Sequence, residues 1–279
     1  MFDQLTAFTQ IALPKRALTE LMGRIARARL GWFTTLMIRL FVRRFGVNLA
    51  EALLPDATSY ACFNDFFARA LQPDARPIDG AGYVCPVDGR ISQFGAIADG
   101  QIYQAKGHHF TATALLGGDA QLAARFNNGS FANLYLSPKD YHRLHMPCDG
   151  RLISMTYVPG ALYSVSPACA RTIPGLFARN ERVVCVFETD HGPMAMVLVG
   201  ATIVGSVATV WHGLVNAPRP NTLRMWTYDD QSIVLRKGEE MGRFLLGSTV
   251  ILLFEKNGLQ FNPAWRAAGP VRLGTMLAQ

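Results

Sequence analysis

Along the first fifty residues apolar positions return at three- and four-residue spacing. Leu18, Leu21, Met22 and Ile25 do so first; after Gly31, Trp32, Phe33, Leu36, Met37, Leu40 and Phe41 follow. That period lays an apolar stripe along one face of a helix, so Pro14 to Gly46 reads as amphipathic helix, interrupted near Gly31. The longest uncharged run in this stretch, Leu30 to Ile38, is nine residues, well short of the roughly 20 that cross a bilayer. A second helix is expected over Tyr60 to Leu71, with Phe63, Phe66 and Phe67 on one side and Pro73 and Pro77 ending it. Beyond residue 80 the texture changes. Short runs rich in Val, Ile and Thr alternate with Gly, Pro and the pairs Asp79-Gly80, Asp88-Gly89 and Asp149-Gly150, the mark of many short strands. Gly192 to Trp211 is twenty residues without a formal charge. Its glycines and β-branched residues favour two buried strands, Met194–Val199 and Thr202–Val210, over a membrane helix. The expected fold class is α+β, mainly β: a barrel- or sandwich-like core preceded by N-terminal amphipathic helices. Residues 1–72 form the helical segment and 73–279 the β-rich domain.

Charge sharpens this division. Residues 1–46 hold eight basic residues (Lys15, Arg16, Arg24, Arg27, Arg29, Arg39, Arg43, Arg44) against Asp3 and Glu20, which accounts for six of the formal +7. A basic balance carried by one terminal segment points to an anionic partner. Arginines beside Trp and Phe on an amphipathic helix suit a membrane interface; the alternative is a helical cap on the core or on a second subunit. A chain of 279 residues, half of them hydrophobic, supports one main domain with an appendage. Five scattered cysteines without a C-x-x-C suggest neither a disulfide framework nor a zinc site, and a reducing, cytosolic setting is expected. Acidic and basic residues interrupt the N-terminus before any long apolar segment, so it does not read as a cleaved signal.

The candidate chemistry centres on Gly247-Ser248, which precedes the strand-forming run Thr249-Val250-Ile251-Leu252-Leu253-Phe254. Glycine leaves its own carbonyl open to approach, so the serine at the mouth of a buried strand can attack the peptide bond in front of it. Such an attack needs a base, and the base an orienting partner. Of the six histidines, His142 and His145 fall together in Tyr135–Pro147. Their spacing of three differs from a helical H-E-x-x-H site and no third ligand stands out, so no metal is expected. Separate proton-transfer roles fit better. Asp88, at the turn Val87-Asp88-Gly89, is an ordinary turn residue by type and also a carboxylate able to orient a histidine. Composition and spacing allow an Asp, His, Ser triad without establishing it. No G-x-S-x-G supports a lipase elbow, and no phosphate loop or dinucleotide fingerprint occurs.

Taken in order, several segments resemble the phosphatidylserine decarboxylases. They are Phe63-Asn64-Asp65-Phe66-Phe67-Ala68-Arg69, Pro86–Ile91, Lys106-Gly107-His108, Tyr141–Pro147, Asn180-Glu181-Arg182-Val183, Val199–Ser206, and Gly238–Phe244 leading into Leu246-Gly247-Ser248-Thr249. The resemblance implies a membrane-associated proenzyme that cleaves itself at Gly247-Ser248 into a β chain, 1–247, and an α chain, 248–279. Asp88, His145 and Ser248 would be the charge relay for that cleavage, and Ser248 would become a pyruvoyl group forming a Schiff base with the substrate amine. His142 would be the proton donor in decarboxylation, and Tyr141, Tyr163 and Ser164 would line the substrate pocket. The implied partners are the phospholipid surface, anionic phosphatidylserine, the sister chain from the same precursor and a second copy in a homodimer, with no nucleic acid. The implied location is peripheral, on the cytoplasmic face of the cell membrane.

Overall fold

A computed structural model describes residues 14–203, 206–216, 218–256 and 258–279. Two amphipathic helices come first, α1 (Lys15–Arg27) and α2 (Trp32–Phe45), separated at Gly31 and followed by the short α3 (Phe63–Phe67). The strands are β1 (Tyr83–Val84), β2 (Gly89–Ala96), β3 (Gln101–Ala105), β4 (His108–Thr111), β5 (Ser130–Tyr135), β6 (Arg143–His145), β7 (Gly150–Val158), β8 (Arg182–Thr189) and β9 (Gly192–Val199). After them come β10 (Val207–Thr209), β11 (Gly213–Leu214), β12 (Arg224–Thr227), β13 (Val234–Leu235), β14 (Glu240–Phe244), β15 (Thr249–Phe254), β16 (Pro270–Val271) and β17 (Met276–Ala278).

The large antiparallel sheet runs in the order β12-β7-β8-β9-β15-β5-β2-β16, with β13 also on β7; β11-β10-β14-β6 form a second, smaller sheet. Among the described residues β12 and β16 end the large sheet without meeting. The mainly β expectation therefore holds in its sandwich-like form, and the barrel alternative is corrected.

Both faces of the large sheet are covered. Leu134, Met155, Cys185, Met196, Leu198, Val250 and Leu252 pack with Leu144, Val207, Met241 and Phe244 of the small sheet. On the other face Phe131, Val184, Val197, Ile251 and Leu253 meet Ile102 and Phe110 of the β3–β4 hairpin and the apolar residues of short helical turns. A strand buried on both sides has no polar face to present, which is why β15 reads as an unbroken apolar run.

Two sequence-derived boundaries change, for local reasons. The helix expected over Tyr60–Leu71 stops at Phe67, because the chain beyond it pairs elsewhere. Leu53 N–H donates to Ala70 O and Gln72 N–H to Glu51 O, while Arg143 Nε takes the Ala68 carbonyl at 2.8 Å. Of the strand expected over Thr202–Val210, Val207–Thr209 is strand, while Val204 and Gly205 lie outside the described residues. Ahead of it Thr202 Oγ1 donates to Leu162 O and Ile203 N–H to Thr19 Oγ1 of α1, which draws the backbone off the sheet.

Leu252 is fully buried at the centre of β15. Leu252→Ala should lower the unfolding free energy by about 3 kcal/mol, as cavity-forming core truncations do, read as an earlier urea midpoint with an unchanged slope.

Candidate active site

Ser248 sits one residue before β15. Thr249 pairs with Tyr135 of β5 on one edge and Val199 of β9 on the other. The Leu136 N–H donates to the Ser248 carbonyl at 2.9 Å, which carries the pairing one residue further. Ser248 is fully buried, and its Oγ has no hydrogen-bond partner. A buried hydroxyl left unpaired costs on the order of 1–3 kcal/mol. Here it leaves the oxygen free beside the Gly247 peptide.

His142 lies against that peptide. A Cβ built on Gly247 would lie 3.3 Å from His142 Nε2, 3.7 Å from Leu136 O and 3.9 Å from Phe67 Cζ. A side chain at 247 would therefore press on the His142 ring. The ring of His142 is held from two sides. Its Nδ1 lies 2.8 Å from Asp140 O, and the Phe67 ring packs on it with centroids 4.0 Å apart. A carbonyl only accepts, so Nδ1 carries the hydrogen and Nε2 presents a lone pair. That Nε2 is buried without a partner. Burial, with the nearby Arg69 guanidinium, pushes the His142 pKa down to about 3, so the imidazole stays neutral across the physiological range. The loop that aims it is closed by Asp140, whose Oδ2 accepts from both the N–H and the Oγ–H of Ser137 at 2.7 Å.

His145 and Asp88 have other partners. His145 Nδ1 donates to Gly238 O at 2.7 Å, and its Nε2 accepts from Tyr141 Oη at 3.0 Å. Burial holds its pKa below the usual value while the Gly238 carbonyl, Glu240 and Asp88 oppose that effect. Asp88 accepts from Arg76 Nε at 3.0 and 3.1 Å and from the Leu273 N–H at 2.9 Å. Asp88 and His145 are thus close enough to interact electrostatically, yet their hydrogen bonds go to different groups. The other four histidines lie apart: His108 and His109 in β4, His191 against Tyr83, and His212 against Trp226.

A cavity of about 270 Å³ opens onto Gly247 and Ser248. Its walls include Phe41 and Phe45 of α2, Phe67, Ser164 and Leu246. Of the three residues expected to line the substrate pocket, Ser164 borders this cavity. Tyr141 is bonded to His145 instead, and Tyr163 lies beneath Lys15 and Arg179, with ring-centroid distances of 4.8 and 5.1 Å. Sequence reasoning missed Phe41, Phe45 and Phe67 as parts of the site and Asp140 as the anchor of His142. Three of these are aromatic residues on helical stripes, where helical spacing by itself reads as ordinary core. Among the described residues no group of three His, Cys, Asp or Glu side chains converges as a metal site.

Comparison with known proteins places this geometry in context. The family model described as phosphatidylserine decarboxylase matches residues 63–279, and a second, described as PSD, matches residues 5–46. The chain is 63% identical to the phosphatidylserine decarboxylase proenzyme of Delftia acidovorans, covering all of this chain and 98% of the relative. It is 59% identical to the protein of the same name from Dechloromonas aromatica, covering 99% of this chain and 98% of the relative. With the corresponding protein of Herminiimonas arsenicoxydans it shares 60% identity over all of this chain and 95% of the relative.

The depressed pKa of His142 has a consequence for stability. Below pH 6.5 the unfolded chain binds a proton at this ring that the folded chain refuses until about pH 3. The contribution is complete above pH 6.5 and shrinks as pH falls towards 3. At pH 5 the loss should be on the order of 2 kcal/mol. Urea unfolding of a Ser248→Ala chain at pH 7 and pH 5 should show this drop, and adding His142→Gln should remove most of it.

Proposed function

The chain belongs to the phosphatidylserine decarboxylase family, and from this we propose that it is a proenzyme that cuts itself between Gly247 and Ser248 and then converts phosphatidylserine to phosphatidylethanolamine. The observation that carries the reading is the unpartnered, fully buried Ser248 Oγ at the head of β15, with the lone pair of His142 Nε2 against Gly247.

Ser248 Oγ attacks the Gly247 carbonyl carbon. The new C–O bond replaces the Gly247 C–Ser248 N bond, and the hydroxyl proton ends on the freed amine, leaving an ester. Removal of the Ser248 Cα proton then breaks the Cβ–Oγ bond, which gives a Gly247 carboxylate and a dehydroalanine. Water adds to its imine tautomer, ammonia leaves, and a pyruvoyl group heads the 32-residue α chain, residues 248–279. By its likeness to the family, His145 is the base for the first step, with Asp88 favouring its protonated form. Its lone pair is released when the Tyr141 hydroxyl turns away.

The site suits such a group, because the cavity is walled largely by apolar side chains and the serine oxygen is committed to no other bond. A ketone there supplies an electrophile for the substrate amine and takes up the electron pair left by departing carbon dioxide. The apolar walls of Phe41, Phe45 and Phe67 disfavour the substrate carboxylate relative to neutral carbon dioxide. His142 Nε2 lies against Gly247 at the cavity, and a bound substrate carboxylate offsets the burial that keeps the ring neutral without it. The imidazole then takes up the proton that the substrate ammonium loses and returns it to the carbon from which carbon dioxide has left.

The helical arm supports attachment to a lipid surface, on the cytoplasmic face. No described helix is long and apolar enough to cross a membrane. On α2, Trp32 is 77% and Leu40 59% exposed, with Phe33 and Leu36 also open and Arg39, Arg43 and Arg44 beside them. Exposed aromatics flanked by cations suit the headgroup region, where each basic residue contributes about 1 kcal/mol near an anionic surface. Phe41 and Phe45 of the same helix wall the cavity, so a docked α2 puts the Ser248 pocket at the lipid surface.

Denaturing mass measurement tests the function. The wild-type chain should split after Gly247, with the α chain lighter by one ammonia than its serine-ended form. A chain that stays whole, or an α chain that still begins with serine, would refute the reading. In the same assay His145→Ala should remain whole, while His142→Ala should be cut yet lose at least about a hundredfold in lipid turnover. Trp32→Glu with Leu40→Glu should leave cutting intact and weaken co-sedimentation with phosphatidylserine vesicles at least tenfold, as insertion of two charged groups requires.

A further inference from the structure

Seven described residues other than glycine have a positive φ. Six of them fall between 46° and 69°, within or close to the small left-handed well open to L-residues. Leu246 is the exception at 126°, a backbone region that glycine occupies and other residues enter only when their surroundings force them. It stands two residues before Ser248, and its side chain is only 8% exposed.

The forcing groups can be named. On the N-terminal side the Phe244 N–H donates to His142 O and the Leu245 N–H to Ser206 O, both at 2.9 Å. On the C-terminal side Ser248 is pinned through its carbonyl by the Leu136 N–H, and Thr249 is paired on both edges. Between these clamps the Leu246 side chain packs into the apolar cluster of Ile38, Phe66 and Phe67. The chain has to cross from the end of β14 to the head of β15 while the Leu246 side chain stays in that cluster, and the strained φ lets it do so.

We propose that Leu246 is a positioning residue for backbone cleavage, and that its strained backbone, anchored by the helical cluster, presents the Gly247 carbonyl to Ser248 and is relieved when the bond breaks. The inference rests on the reading of Gly247-Ser248 as the bond that is cut. The lack of a side chain lets Gly247 lie against His142 without pressing on it, and that same lack makes it the most pliable residue of the crossing. A rigid neighbour offsets that freedom. Once the Gly247 C–Ser248 N bond is gone, residues 245–247 become a chain end free to relax. Ser248 and the strand behind it stay in the sheet. Strain present in the precursor and absent from the product favours cutting over religation.

Leu246→Ala and Leu246→Gly both remove the apolar anchor, but only glycine accepts the native φ without strain. Two measurements separate positioning from a packing role. In a Ser248→Ala background, urea unfolding should find the glycine variant more stable than the alanine variant, the reverse of their usual order. With Ser248 restored, the time course of cutting of freshly synthesised precursor should run the other way. Alanine should cut about tenfold faster than glycine, the rate ratio that a strain difference of about 1.4 kcal/mol gives, and Leu246→Met should match wild type. A packing role makes cutting follow stability, so glycine cutting as fast as alanine or faster would overturn the proposal, as would an alanine precursor no less stable than the glycine one. A methionine variant as slow as glycine would also overturn it. Wild type remaining whole would instead take away the cleavage reading on which the proposal stands.

Discussion

Strand β15 is hydrogen-bonded along both edges and buried on both faces, and the geometry of the site depends on that. Its six residues pair in register with β9 and with β5. Val250, Leu252 and Phe254 point into one core, and Ile251 and Leu253 into the other. A one-residue slip would exchange those two sets and break both ladders together. Ser248 is therefore fixed by the cooperative registration of a whole strand, a firmer support than a loop gives. The same weave holds the molecule together after a cut ahead of Ser248. The C-terminal segment is tied in through β15, through β16 on β2 and through β17 on β1. Loss of one peptide bond leaves all three attachments in place.

That stability is what lets the site hold groups that folding would otherwise exclude. Ser248 Oγ and His142 Nε2 are both buried and unpaired, and an unpaired polar atom in an apolar interior is a net cost. Asp88 makes a useful contrast, since its carboxylate is saturated by Arg76 and the Leu273 N–H. It joins the turn before β2 to the segment after β16. Atoms with no partner are the ones available for chemistry, and by that measure Ser248 and His142 stand out more than Asp88 does.

Much of this was legible in the chain. The run Thr249–Phe254 announced a doubly buried strand, Gly247-Ser248 marked its mouth, and the spacing of Leu36 and Leu40 with Arg39 and Arg43 described an amphipathic helix. The unreadable parts depend on partners distant in sequence. Nothing in Phe63–Leu71 states that Ala70 will bond Leu53 and end the helix early. Nothing in Val199–Ser206 states that Ile203 will turn to Thr19. The two histidines look equivalent three residues apart. What separates them is that His142 precedes β6 and faces Gly247, whereas His145 ends β6 and lies beneath Gly238 and Tyr141. Strand pairing between β6 and β14 makes that distinction, and local periodicity carries no record of it.

The helical appendage and the site are not separable pieces, and the packing shows why. Ile38 of α2, Phe66 and Phe67 of α3 and Leu246 of the crossing share one apolar cluster, and Phe67 continues from it onto the ring of His142. The inner face of the arm is thus a wall of the cavity, built by Phe41, Phe45 and Phe67. Its outer face leaves Trp32, Leu36 and Leu40 open, four residues apart along one helical face. On the proposed reading the two faces answer one problem. A headgroup must enter a dry pocket while its acyl chains stay in the bilayer, so the pocket wall and the membrane anchor have to be the same element. A helix with Phe41 and Phe45 at the cavity wall, Trp32 and Leu40 facing out and arginines along its flank meets both demands.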